Sequence, residues 1–272
     1  MNYAFGIMIN SWNVQGGSKE KLSSLEHMLS SSYANLLVLQ EEGAPGTTGF
    51  KKGNDVEIGG RRYICISASI DYTAENLRCS TAIFAEEILR PHIVGTGEYI
   101  PEVRRPICYV DLAAGVRVAT VHATANVSSS VLEIKNGIGW LDLDAPSNGW
   151  ILTGDFNSCP GDYPLHIAGN PQIALSANKS QEIPYAANSI GGICFCNMLF
   201  DANPTQGRAG DRTNYYDFIF YRSDPGFAVL NINNRIVREC RTHGCMDFMC
   251  GSCTNSGNYV SDHNLIQTMV YM

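Results

Sequence analysis

The apolar residues of this 272-residue chain come in short runs of strand length, and that feature narrows its architecture most. Asn35–Gln40 (NLLVLQ) reads as a strand buried on both faces, because its hydrophobic run is almost unbroken. Phe5–Val14 is a first strand; Tyr63–Ala68, Ser80–Phe84, Ile107–Leu112, Trp150–Thr153, Tyr215–Tyr221 and Asn264–Tyr271 are further ones. In Val116–His122 the alternation puts Val116, Val118, Thr120 and His122 on one face. Two stretches fit helices instead: Lys19–Ser30, where Leu22, Leu25 and Met28 recur at helical spacing, and Val131–Leu141. Between about Asn157 and Pro204 the pattern is weak, which predicts loops with short elements. Strands interleaved with only a few helices predict an α/β sandwich, a single domain over residues 1–272.

Composition excludes several alternatives. With 44% hydrophobic and 17% charged residues, the chain is neither a disordered tail, a coiled coil nor a collagen-like fibre. No apolar run approaches the roughly 18–20 residues that span a bilayer, so no transmembrane segment is expected. A formal net charge of −7 speaks against holding nucleic acid by bulk electrostatics. It leaves room for an enzyme that meets phosphate through a bound cation and a few arginines.

Ten cysteines point to export, since a reducing cytosol rarely keeps so many without a metal or a catalytic use. Met1–Gly17 lacks the basic start of a secretory leader and already contains strand-like material, so export implies a removed leader or another route. Four cysteines fall within Cys240–Cys253, which reads as a disulfide-stapled insertion. A zinc held by His243, Cys245, Cys250 and Cys253 is the weaker reading of that stretch, because a second Cys-x₂-Cys is missing. Cys194 and Cys196 are too close along a strand to pair comfortably, so their partners are distant, and connectivity stays open.

The residues able to do chemistry gather at one end of the expected strands. The first strand ends at Asn13, NLLVLQ at Glu41 and Val116–Val121 at His122. Trp150–Thr153 runs into Gly154-Asp155-Phe156-Asn157; Asp217 sits inside YYDFIFY, and Asp262-His263 precedes the last strand. One carboxylate at a strand end is usually a turn or cap residue. Six such positions together imply something to bind, because buried charges are costly unless paired or bound to a cation. Asn13, Glu41 and Asp262 offer the hard oxygen ligands of Mg²⁺ or Ca²⁺. His122, Asp155, Asn157, Asp217 and His263 offer proton transfer and hydrogen bonds around a phosphate, and an Asp beside a His fixes the imidazole tautomer. That set suits water attack on a phosphate ester.

The motifs SWNVQG, LLVLQEEG, TVHATAN, LTGDFNS, YYDFIF and SDHNLI follow one another as in the endonuclease/exonuclease/phosphatase superfamily, which includes deoxyribonuclease I. Within it the chain most resembles the active nuclease subunit of cytolethal distending toxins, through RRPICYVDL with TVHATAN and through WILTGDFNSCP. The resemblance runs from Asn10 to Met272 and implies a four-layered α/β/β/α sandwich of the deoxyribonuclease I-like type. It implies Glu41 as principal metal ligand with Asn13 and Asp262, for Mg²⁺, with Ca²⁺ or Mn²⁺ as alternatives. His263 is implied as the base oriented by Asp217, His122 as the group serving the leaving oxygen, and Asp155 and Asn157 as positioning residues. Arg78, Arg105 and Asn126 match phosphate-gripping residues, a task suited to a planar guanidinium. The chain departs from the toxin pattern at Val127-Ser128, where Gly-Gly is usual, in its acidic balance, and in the Cys240–Cys253 segment.

The resemblance therefore implies a divalent-metal-dependent endonuclease acting on DNA, the catalytic subunit of an exported genotoxin that works in the target-cell nucleus. Delivery or binding subunits, with a disulfide link as one option, would be its partners. Two other readings keep the same fold. One is a phosphoinositide phosphatase with the same site; the other is a catalytically degenerate binding or assembly subunit.

Overall fold

The computed structural model describes residues 6–14, 34–41, 53, 55–58, 60–70, 80–100, 105–146, 148–163, 181–189, 192–200, 216–223, 228–235, 263 and 265–272. Among them are two seven-stranded sheets, with strands numbered in chain order. The first holds β1 (Gly6–Asn13), β2 (Leu36–Gln40), β3 (Asp55–Ile58), β4 (Arg61–Ile70), β5 (Ser80–Glu86), β13 (Ala228–Arg235) and β14 (Leu265–Tyr271) in the order β13-β14-β1-β2-β5-β4-β3. The second holds β6 (Ile93–Tyr99), β7 (Ile107–Leu112), β8 (Val116–His122), β9 (Gly149–Asp155), β10 (Gln181–Ser189), β11 (Gly192–Phe200) and β12 (Asp217–Ser223) in the order β10-β11-β12-β9-β8-β7-β6.

Each sheet has one parallel pair, β1 with β2 and β8 with β9, and every other described pairing is antiparallel. Parallel neighbours need a crossover, and helix α1 (Val127–Asp144) supplies the one from β8 to β9. It starts at Val127 rather than at the expected Val131 because the Asn126 side chain accepts from the Ser129 amide at 3.1 Å and caps it.

Three apolar layers alternate with the sheets. Ile7, Ile9, Leu36, Val38 and Ile83 meet Val110, Val118, Ile151 and Ile219 between them. Ala119, Val121, Leu152, Phe218 and Phe220 pack beneath Ile134, Ile138 and Leu141 of α1. Trp12, Leu37, Leu39, Tyr63 and Phe84 form a core on the outer face of the first sheet. β2 thus buries both faces, which is why its sequence carries no polar alternation. The layering is that of the α/β/β/α sandwich of the deoxyribonuclease I-like type, with α1 as one outer layer. The expected helix Lys19–Ser30 lies outside the described residues.

The expected common face of Val116, Val118, Thr120 and His122 points toward the other sheet, but the opposite face of β8 is buried too. Arg117 can lie there because its Nε and Nη1 donate to Asp111 and Asp144, each at 2.6 Å, and its guanidinium sits 4.0 Å from the Tyr109 ring centroid. The expectation of loops between 157 and 204 is corrected. β10 and β11 form a hairpin in register from Gln181↔Phe200 to Ser189↔Gly192, with Pro184 tolerated on an edge strand.

This topology decides where chemistry can sit. The carboxyl ends of both parallel pairs point to one end of the sandwich, and ligands of open sheets bind outside such ends. Their antiparallel neighbours begin there, β12 at Asp217 and β14 just after His263. The register sets His122 beside Asp155 and Asp155 beside Asp217 across three adjacent strands.

Candidate active site

Asp155 is the hub. Its Oδ2 accepts from Asn13 Nδ2 at 2.8 Å and lies 3.6 Å from His122 Nε2 and 3.5 Å from His263 Nε2. Two imidazoles therefore flank one carboxylate oxygen. Its other oxygen accepts from the Asn157 amide at 2.9 Å. Burial pushes the Asp155 carboxyl above the usual range, Asp217 adds to the rise, and His263, His122 and the Asn157 amide oppose it. His263 is oriented from behind: its Nδ1 lies 2.9 Å from Asp217 Oδ2, and its carbonyl accepts from Trp12 Nε1 at 3.2 Å. With Nδ1 protonated toward that carboxylate, Nε2 presents its lone pair to the site.

Across the gap, Glu41 Oε1 accepts from Asn13 Nδ2 at 3.2 Å and lies 3.6 Å from His122 Nε2. Asn13 thereby ties the two sheets together at the floor of the site. Glu41 Oε2 is buried and has no hydrogen-bond partner among the described residues. A buried carboxylate oxygen in that position fits a hard cation. Asp155, Asp217 and His263 also offer ligand atoms within 4.8 Å of one another. The close His263–Asp217 contact already engages two of those groups as a hydrogen-bonded pair, so Glu41 is the better anchor for an ion. The buried carboxylates of Asp155 and Asp217, with half-buried Glu41 beside them, need positive charge in any case.

Backbone geometry shapes the same spot. Glu41 (φ 52°) and Asn157 (φ 47°) are the positive-φ non-glycine residues among those described, conformations that cost about 1–3 kcal/mol each and gather at functional sites. Asn157 is held by its side chain, which donates to the Ala123 carbonyl at 2.8 Å and clips the β9 loop to the residue after His122. Gly154 explains the glycine of GDFN: at φ +146° a Cβ would sit 2.1 Å from the Val121 carbonyl oxygen on β8.

The sequence-predicted set thus divides. Asn13, Glu41, His122, Asp155, Asn157, Asp217 and His263 come together. Arg105 stands just before β7, where its Nε donates to Thr124 Oγ1 at 3.4 Å. Asn126 is exposed and has a capping role that the sequence reading did not assign. Arg78, Asp262 and Cys240–Cys253 lie outside the described residues. Cys65, Cys108 and Cys159 are thiols, the first two buried and donating to the carbonyls of Ser67 and Thr81, which narrows the expected disulfides to the other seven cysteines. Sequence reasoning missed Thr124 and Glu133. The usable signal was a glutamate on the apolar face of α1, beside Ser130, Ile134 and Gly137.

Two facing sheets with a carboxylate–imidazole cluster at their carboxyl ends define a phosphoester hydrolase of the deoxyribonuclease I-like class. The chain belongs to the Endonuclease/Exonuclease/phosphatase family, whose model matches residues 11–263. Among curated proteins none matches the sequence. Among solved structures it is similar to ANGEL2, a 2',3'-cyclic phosphatase, at 12% identity and a TM-score of 0.58, covering 98% of this chain and 95% of that one. It is similar to D. rerio TDP2 complexed with single strand DNA product (13%, TM-score 0.55, 98% and 99% covered). It is also similar to CdtB, the biologically active subunit of cytolethal distending toxin (15%, TM-score 0.54, 96% of each chain). At such identities the likeness is one of fold.

Proposed function

We propose that the chain is a divalent-metal-dependent endonuclease that hydrolyses DNA phosphodiesters, the catalytic subunit of an exported genotoxin resembling cytolethal distending toxin. The observation that carries the reading is Asp155 Oδ2 flanked by two imidazoles, one of them hydrogen-bonded to Asp217. His263 takes a proton from water through Nε2 as the water oxygen bonds to phosphorus. Asp217 stabilises the resulting imidazolium. His122 serves the opposite side, giving a proton to the oxygen that leaves as its bond to phosphorus breaks. Asp155 holds both rings in place, and Asn157 fixes the loop that carries it. Glu41, Asn13 and Asp262 would hold Mg²⁺, or Ca²⁺ or Mn²⁺ in its place, and the bound ion would supply charge neutralisation to the reacting phosphate. Arg78, Arg105 and Asn126 grip the phosphate.

The whole of residues 1–272 acts as one domain in this reading, with a disulfide-stapled insertion at 240–253. Ten cysteines support an exported protein that meets delivery subunits before acting in the nucleus of a target cell. The test compares two substrates. Mg²⁺-dependent nicking of supercoiled plasmid is the expected result; phosphate release from inositol lipids without nicking would transfer the same site to a phosphatase.

A further inference from the structure

Glu133 is a buried carboxylate that no role above uses. It projects from the inward face of α1, and each of its oxygens accepts from Thr124: Oε2 from the amide at 2.8 Å and Oε1 from the hydroxyl at 2.6 Å. Thr124 stands two residues after His122, in the loop that leads to the Asn126 cap. Its hydroxyl, donating to Glu133, turns a lone pair outward and accepts from Arg105 Nε at 3.4 Å. A continuous chain therefore runs from a helix in the outer layer, through a loop beside the catalytic histidine, to a guanidinium at the site end of β7.

The chemistry of the chain is directional. A carboxylate can only accept, so it dictates where the Thr124 hydroxyl hydrogen points. That leaves the oxygen free to accept from Arg105 and to hold one edge of the guanidinium. An arginine that must meet a phosphate with two parallel N–H bonds loses affinity when its plane turns. An ordinary loop tether would need the Thr124 amide alone. The second, hydroxyl-mediated arm is what reaches Arg105.

We infer that Glu133 and Thr124 are positioning residues for substrate: Glu133 orients the Thr124 hydroxyl, which presets the Arg105 guanidinium for the phosphodiester. The inference rests on the phosphate-gripping role of Arg105 in the function proposed above. Removing the hydroxyl should weaken binding of the phosphate rather than slow the displacement. Expected for Thr124→Val is a KM roughly tenfold higher, about 1.4 kcal/mol of lost binding, with kcat nearly unchanged.

The experiment measures KM and kcat for a small phosphodiester, bis(4-nitrophenyl) phosphate, with Mg²⁺ at saturation. The variants are Thr124→Val, Thr124→Ser, Glu133→Gln, Arg105→Ala and the double variant Thr124→Val/Arg105→Ala. Thr124→Ser should restore the wild-type KM because it keeps the hydroxyl. Glu133→Gln should raise KM because its amide keeps one acceptor where the Thr124 amide and hydroxyl together need two. Thr124→Val should add little to Arg105→Ala, since both break one linkage. Equal losses of kcat in Thr124→Val and Thr124→Ser, or effects that add fully to Arg105→Ala, would overturn the inference. An unchanged KM in Arg105→Ala, or no hydrolysis by the wild-type protein, would instead defeat the function on which it rests.

Discussion

Replacing Asp217 by asparagine separates catalysis from folding, because the two consequences have opposite sources. Asp217 lies 2.9 Å from His263 Nδ1 and is almost fully buried. A hydrogen bond to a charged partner contributes about 1.5–3 kcal/mol. Asparagine keeps the shape but loses the charge that stabilises an imidazolium, and its amide can equally donate to Nδ1 and hold the wrong tautomer. Losing that stabilisation when His263 takes its proton slows the reaction by about 10- to 150-fold, at 1.36 kcal/mol per factor of ten. Stability moves differently. Asp217 is one of the charges that raise the Asp155 carboxyl, and the ligand atoms of that group lie within 4.8 Å. Two ionised carboxylates at such a distance repel by about 3 kcal/mol at an effective dielectric of 20. In metal-free protein the relief offsets the lost hydrogen bond, so Tm should change by no more than a few degrees. Single-turnover plasmid nicking and thermal unfolding of the same preparation give both numbers. A wild-type rate, or a rate loss matched by a fall in Tm beyond about 10 °C, would refute this reasoning.

Three further outcomes are expected. Glu41→Gln should shift the metal titration of activity to much higher concentration with little change in folding, since one oxygen of Glu41 is buried without a hydrogen-bond partner among the described residues; an unaltered titration removes Glu41 as ligand. Gly154→Ala should fail to fold stably, because its Cβ would lie 2.1 Å from the Val121 carbonyl oxygen, and a soluble variant with wild-type Tm would contradict the β8–β9 geometry. Thiol titration of denatured, unreduced protein should find Cys65, Cys108 and Cys159 reactive and few of the other seven; ten reactive thiols would end the disulfide reading.

What the sequence disclosed followed burial. β1, β2, β4, β5, β7, β8, β9, β12 and β14 lie inside the sheets, and their apolar runs mark them. Four of the strands that escaped notice, β3, β6, β10 and β13, are the sheet edges; the fifth, β11, is an interior strand. An edge strand is less covered and often carries charge or proline, so its hydrophobic signal fades, as Pro184 in β10 illustrates. The chemistry-bearing residues were legible because they cluster at the ends and starts of buried strands. Their hydrogen-bond supports were not. Arg117 in VRVATVH reads as a solvent-facing residue until Asp111, Asp144 and Tyr109 are seen around it. Glu133 likewise breaks an apolar helix face for a partner nine residues earlier, a pairing that only the turn from β8 into α1 creates.

The central claim is that His122 and His263 act on opposite sides of one displacement around Asp155. Nicking of supercoiled plasmid in Mg²⁺, with and without chelator, should be measured for the wild-type protein, His122→Ala, His263→Ala and the double variant. The wild-type protein should nick only without chelator. Each single variant should lose about 10²–10⁴-fold, the weight of one proton-transfer group, and the double variant should be little worse than the poorer single one. Plasmid cut at the wild-type rate by both single variants would contradict the assignment and leave the cluster without a catalytic role.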